Sequence, residues 1–367
     1  MINCQFSSEI NSAFAKTLQL RVNSYFKDNH ISKGANTEMV MKTISALSIY
    51  LLPFVALLVF QISSLPLLFL LWAIMGFGKA FIGMSVMHDS LHGSFSNKPS
   101  TNQLVALCTW LVGVDPRNWK IQHNVLHHSF TNIEHADEDI EPRFIFRFSP
   151  HQPRLSIQKY QHLYAFFFYG LGTLIWVTVK DFAKAVKYKN EGFIKSGKDF
   201  NLHITQIIIR KAVYFSLFLV LPSIWLAYPF WMVALMFLTM HFVAGSILTF
   251  TFQCAHVMDS SEFINSPDGH IPENRLAHQL KTTANFGTNS RLLFWFTGGL
   301  NHQIEHHLFP HICHIHYRKI SGIVAATASE YNLPYHTQPT LATAVYQHLY
   351  MLKELGSEPT KTKKSYA

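Results

Sequence analysis

Charge is scarce in this 367-residue chain: Asp, Glu, Lys and Arg make up 14% of it, against roughly a quarter in a typical soluble domain. With 49% hydrophobic residues, that deficit excludes a disordered chain, a coiled coil or an ordinary cytosolic enzyme. The absence is also uneven. No charged residue occurs between Lys42 and Lys79, nor between Lys211 and Asp259, and apolar stretches of that length are candidates for crossing a bilayer. Cysteine is sparse too. Cys4, Cys108, Cys254 and Cys313 form no CxxC pair and no spaced framework, which points to a reducing compartment or simple packing. The N-terminus lacks a basic segment followed by an apolar core, so no cleaved signal peptide is expected. No HExxH, glycine-rich phosphate loop or nucleotide fingerprint is present. Their absence counts against a zincin-type protease and requires reducing power, if any is used, to come from outside.

What remains is apolar sequence broken at informative places. One helix over the uncharged residues 43–78 would be about 54 Å long, well beyond a hydrocarbon core of about 30 Å. Ser63, Ser64 and Pro66 near its middle predict a hairpin of two helices, 43–62 and 65–86. The stretch 212–258 has Ala227, Tyr228 and Pro229 near its centre and predicts a second hairpin, 212–227 and 231–255, with Trp225 and Trp231 at an interface. A fifth apolar segment, 163–179, precedes Lys180, Lys184, Lys187, Lys189, Lys195, Lys198, Arg210 and Lys211. A fifth crossing would place that basic stretch outside, against the positive-inside rule. The segment is therefore expected to lie on the cytoplasmic leaflet as an interfacial helix. The formal net charge of +9 is read as the basic face of a membrane protein and not as a nucleic-acid surface.

The resulting fold class is all-α integral membrane: four transmembrane helices in two hairpins, 43–86 and 212–255, under a cytoplasmic helical cap, 87–211 and 256–320. A cytoplasmic arm, 1–42, precedes them. A C-terminal cytoplasmic helix and a disordered basic tail, 321–367, follow.

Histidine is the abundant residue, with 22 copies, and three clusters stand out. They are His88-Asp-Ser-Leu-His92, His123-Asn-Val-Leu-His127-His128, and Gln303-Ile-Glu-His306-His307 preceded by His302. On a helix His88 and His92 share a face, as do His123 with His127 and Gln303 with His307. Neutral imidazole is a good ligand for iron, zinc or copper. The doublets His127-His128 and His306-His307 lie about 100° apart on a helix, so neighbouring rings can serve two metals. His256, at the end of the last apolar segment, is a candidate eighth histidine ligand. His241 falls near mid-membrane and is read as a buried, hydrogen-bonded residue or as a mark of a transport path. Asp89, Asp137, Glu138, Asp139 and Glu305 flank the clusters and can accept the outward N–H of ligand imidazoles. His278, Asn285, His311, His314 and His316 are placed around the site or at the surface, and Trp119 and Trp295 are candidates to line a tunnel.

HDSLH, HNVLHH and QIEHH, in this order and separated by apolar hairpins, resemble the membrane fatty-acyl desaturases over residues 40–320. Gln at the head of the third box resembles the front-end branch, which inserts a double bond between the carboxyl end and an existing one. The segments NWKIQHNVLHHSFTN and NHQIEHHLFPHICHIHY are similar to its bacterial linoleoyl-CoA-desaturase-like members. The resemblance implies a desaturase domain over 43–320, two iron ions, dioxygen, and two electrons from a carrier. Two hydrogens leave adjacent methylenes held in an apolar tunnel. Carried over residue by residue, the metal ligands are His88, His92, His123, His127, His128, His306 and His307, with His256 matching an additional histidine and Gln303 replacing a ligand histidine. No His-Pro-Gly-Gly haem motif precedes the first span, so a separate ferredoxin or cytochrome b5 type donor is expected. The implied substrate is a fatty-acyl-CoA or acyl-lipid, and the implied setting is a bacterial inner membrane or the ER membrane, with the site cytoplasmic. Lipid hydroxylation by the same metals and a histidine-rich metal transporter are the alternatives.

Overall fold

The computed structural model describes residues 4–60, 62–141 and 144–357. The basic tail expected from Glu358 onward lies outside the described residues. The main helices are α1 (Ser12–Asp28), α2 (Thr37–Val59), α3 (Leu65–His92), α4 (Lys120–His127), α5 (Ser156–Gly170), α6 (Gly172–Asn190), α7 (Lys198–Trp225), α8 (Phe230–His256), α9 (Arg275–Thr282), α10 (Gln303–Leu308), α11 (Tyr317–Glu330) and α12 (Leu341–Gly356). Two short parallel strand pairs accompany them, β1 (Gln5–Phe6) with β2 (His270–Ile271) and β3 (Ala284–Phe286) with β4 (His336–Gln338). The all-α expectation is corrected to that extent. Two compact units interleave along the chain, one of Ala35–Ile121 with Phe166–Thr249, the other of the described parts of Ile2–Gly34, Gln122–Ala165 and Phe250–Ala367.

α2, α3, α7 and α8 are each long and apolar enough to cross a membrane. The Asn36 side chain accepts from the Met39 N–H to start α2, and Pro66 occupies the first turn of α3, where its missing N–H costs nothing. In the first unit α3 packs through glycine. A Cβ on Gly78 would lie 2.6 Å from the backbone of Tyr50 in α2, and one on Gly76 would lie 2.5 Å from the Met240 carbonyl in α8. Small residues let backbones approach this closely where water supplies no driving force between helices. The turns after α2 and α7 are tied together: Trp225 Nε1 donates to Leu58 O at 2.7 Å, and the Tyr228 hydroxyl donates to Ser63 O at 2.8 Å.

The helix limits differ from the sequence-based ones. α7 begins at Lys198 instead of 212, so Arg210 and Lys211 lie within it. Lys211 explains why a helix tolerates this. Its ammonium pairs with the Asp181 carboxylate of α6 and donates to Gly113 O at 2.7 Å and Trp176 O at 3.2 Å. Hydropathy counts the charge but not its partners. α2 starts at Thr37 and stops at Val59, and α3 runs to His92. The apolar segment 163–179 is not one straight helix: α5 and α6 meet at a bend of 56°.

In the second unit, α1 carries Phe14, Leu18, Val22 and Phe26 at four-residue spacing, all buried. That stripe packs with Leu276 and Leu280 of α9, Ile304 and Leu308 of α10, and Ile320 and Val324 of α11. Each such side chain contributes about 1.5–3 kcal/mol on burial. The expected arm 1–42 thus contains an amphipathic helix that helps to hold α10, the bearer of the third histidine box.

Candidate metal centre

The first box closes α3. The turns over Ile82–Met87 are wide, π-type turns that lead directly into His88, a local device frequently found at functional sites. In the first unit the His88 and His92 rings lie 4.6 Å apart, and the edge of Trp119 packs on both at 5.6 and 5.4 Å. Trp119, expected to line a tunnel, buttresses the histidine pair. Asp89 is buried, with its carboxylate 3.8 Å from His88 Nδ1.

The second box also occupies wide turns, over α4. There the rings of His123 and His127 stack at 5.4 Å, and His123 Nε2 comes within 3.2 Å of His128 Nε2, five residues on. Two imidazoles bound cis to one metal at about 2.1 Å would put their nitrogens roughly 3 Å apart. The third box lies on α10, fully buried from Gln303 to His307.

Within the second unit the rings form two three-histidine groups. His127, His256 and His307 offer ligand atoms within 4.8 Å of one another, and so do His128, His306 and His307. His307 belongs to both. The outward nitrogens are held by partners from elsewhere in the chain. His127 Nδ1 donates to the Asp137 carboxylate at 3.1 Å, with Asp139 at 3.4 Å. His256 Nδ1 donates to Thr282 O at 3.3 Å, His307 Nδ1 to Gln279 Oε1 at 2.8 Å, and His306 Nδ1 lies 3.3 Å from the Tyr317 hydroxyl. Donation from Nδ1 puts the lone pair on Nε2, the tautomer a metal requires there. Burial alone would lower the basicity of His127. Asp137 and Asp139 more than offset it and raise its pKa to about 9, so their field favours a positively charged centre at this ring.

Asp137 therefore accepts an imidazole N–H as its position suggested, whereas Asp139 accepts from Gln122 Nε2 at 2.7 Å and lies beside the ring. Glu305 does something else: it accepts from Asn285 Nδ2 at 2.9 Å and from the Tyr335 hydroxyl at 2.7 Å, while Asn285 Oδ1 accepts the Ile304 N–H at 2.9 Å. That bracket anchors the first turn of α10 to β3. His278 donates to Thr131 O at 2.7 Å; His316 contacts Gly34 O at 3.1 Å and His348 contacts Val257 O at 2.9 Å. Gln279, Thr282, Tyr317 and Tyr335 carry no sequence signal of their own. The spacing of Gln279 and Thr282 after His278 identifies them only once α9 is known.

The donors fit a first-row transition metal. They are nearly all imidazole, a set suited to iron, zinc or copper. His256 Nε2 and both amide atoms of Gln303 are buried without a hydrogen-bond partner among the described residues, a costly state that a metal or a metal-bound water would relieve. His241 differs. Its Nδ1 is 3.0 Å from Thr173 Oγ1 and its Nε2 3.0 Å from the Tyr214 hydroxyl, which accepts from Lys79 Nζ at 2.6 Å. Among the described residues it belongs to no metal-ligating group.

The sequence agrees with this chemistry. Residues 63–339 match the fatty acid desaturase family model. The chain is 34% identical to an acyl-lipid (8-3)-desaturase of Physcomitrium patens, over 96% of this chain and 73% of that one. It is 31% identical to an sn-1 linoleoyl-lipid 6-desaturase of Arthrospira platensis, over 94% and 93%, and 32% identical to a Delta(5) fatty acid desaturase A of Dictyostelium discoideum, over 97% and 78%. The chain belongs to the fatty acid desaturase family and is an oxidoreductase that desaturates fatty-acyl chains.

Proposed function

We propose that the chain is a front-end desaturase that inserts a cis double bond into an already unsaturated acyl-lipid, using two iron ions, dioxygen and an external electron donor. The names of its relatives support the substrate class, since one is an acyl-lipid (8-3)-desaturase and another an sn-1 linoleoyl-lipid 6-desaturase. The observation that carries the reading is the pair of three-histidine groups sharing His307.

His123, His127, His128, His256, His306 and His307 are the proposed ligands from the second unit. His88 and His92 are further proposed ligands on the resemblance of their box, and Gln303 contributes through its buried amide, directly or through water. When bound, iron supplies the activation of dioxygen that C–H removal needs. The protein's part is orientation: Asp137, Thr282 O and Gln279 hold the outward imidazole protons so that the inner nitrogens converge. The balance is complete with one dioxygen. Four electrons and four protons reduce it to two waters: two of each come from the hydrogens lost by the acyl chain, two electrons from the carrier and two protons from solvent. A ferredoxin or a cytochrome b5 type protein is the proposed carrier. Four crossings, with their turns opposite to a cytoplasmic helical cap, are proposed from the positive-inside pattern of the lysines. The membrane is a bacterial inner membrane or the ER membrane.

Expression in a host fed defined fatty acids, followed by mapping of double bonds by mass spectrometry, tests the reading. A new double bond on the carboxyl side of an existing one, abolished in His307→Ala together with bound iron, is the expected result. A product that gains oxygen instead of losing two hydrogens would replace desaturation by hydroxylation.

A further inference from the structure

Gln279 lies on α9, fully buried, in a segment separate from all three histidine boxes. Its Oε1 accepts from His307 Nδ1 at 2.8 Å and lies 2.9 Å from the Thr131 hydroxyl, while its Nε2 donates to His128 O at 3.3 Å. The orientation of the amide is decided by that carbonyl, which can only accept. Oε1 must therefore face His307, and His307 must carry its proton on Nδ1. One side chain thereby grips the backbone of the second box and the outward nitrogen of the third.

The ring it grips is special. His307 is the histidine common to the two groups His127/His256/His307 and His128/His306/His307, and its ring stacks on His128 at 4.3 Å while meeting His127 and His256 edge-on at 4.9 and 4.7 Å. A small rotation of this imidazole changes its distance to both groups at once. Partners that hold the outer nitrogen of a metal-bound histidine change metal affinity by about 10–100-fold when removed. Here the effect should fall on a shared ligand. The choice of partner also matters chemically. His127 donates to a carboxylate, which makes its ring more electron-rich, whereas His307 donates to a neutral amide.

Resting on the metal assignment above, we infer that Gln279 is a positioning residue: it fixes the tautomer and the rotation of His307 and so determines whether the second unit retains its full complement of metal. The full chain in detergent, stripped of metal, is titrated with Co2+ alone and followed by visible absorption for wild type, Gln279→Leu, Gln279→Glu and His307→Ala. The thermal unfolding of each metal-free protein is measured alongside. Gln279→Leu, which has no acceptor, is expected to weaken Co2+ binding about 10–100-fold and to change the absorption band. Gln279→Glu keeps an acceptor for the His307 Nδ1–H and is expected to restore tight binding. Should Gln279→Leu fail to fold, Gln279→Asn, whose amide is one methylene short, takes its place with the same expectation. Wild-type affinity and an unchanged band in the variant lacking the acceptor would overturn the positioning role, even if its unfolding temperature fell. Unchanged Co2+ binding in His307→Ala would instead overturn the metal assignment itself.

Discussion

His241 and His256 lie fifteen residues apart on the same helix, both buried, yet their surroundings are opposite. In the first unit, Thr173 and Tyr214 engage both nitrogens of His241, and Lys79 Nζ donates in turn to the Tyr214 hydroxyl. The network is closed: every ring atom able to bond does so within the protein. In the second unit, Thr282 O engages one nitrogen of His256 and the other has no hydrogen-bond partner among the described residues. The Nδ1 atoms of His127, His306 and His307 likewise meet partners, at Asp137, Tyr317 and Gln279. Burial of a histidine thus says little about function by itself. What matters is whether the protein satisfies both nitrogens or leaves one for a ligand.

The comparison breaks most directly by exchanging its members. His256→Ala is expected to lower bound iron and to reduce desaturation by at least about two orders of magnitude, while His241→Gln leaves iron content unchanged and costs less than about tenfold in activity. Iron per chain and product yield are the measurements, and iron loss in the His241 variant would show that the network is not closed after all.

A second contrast concerns charge. Lys211 and Asp181 form a buried pair in the first unit, where removal of one partner leaves the other uncompensated. Lys211→Met is expected to destabilise the protein by about 3–5 kcal/mol, and the double variant with Asp181→Asn to regain most of it. Unfolding in mild detergent reads both. If the single variant is as stable as wild type, the pair does not hold α7 to α6.

The smallest effect concerns pH. Burial pushes the His348 imidazole down from 6.5 to about 4, despite its hydrogen bond to Val257 O. The unfolded chain takes up this proton near pH 6.5 and the folded one only near 4. Stability from this residue is therefore complete above about pH 6.5 and is lost as pH falls toward 4, by about 3 kcal/mol in all. His348→Gln is expected to flatten the acid limb of an unfolding profile across that window. An unchanged limb would assign the acid sensitivity to other groups.

Much of this was readable from the chain. Three histidine boxes and four long apolar segments follow from local spacing and hydropathy, because helix geometry relates residues i and i+4 whatever surrounds them, and Asp137 is singled out by its position beside the second box. Other features were not readable. The start of α7 at Lys198 depends on Asp181 from another helix, and the order of α1 depends on a core assembled from α9, α10 and α11. The wide turns through His123–His127 contain no proline or glycine to announce them, and Gly83 alone does not mark those before His88. They alter the spacing assumed for the doublets, placing His123 against His128 instead of only against His127.

The sequence by itself determined the class of protein and singled out its clustered histidines as candidate ligands, since composition, hydropathy and histidine spacing are properties of the chain alone. Only the tertiary structure decided which nitrogen of each ring faces inward. That choice is made by hydrogen bonds to Asp137, Gln279 and Thr282 and by contact with the Tyr317 hydroxyl, all at least ten residues away in sequence from the ring they hold. A buried imidazole has two chemically similar nitrogens, and its neighbours in space choose between them.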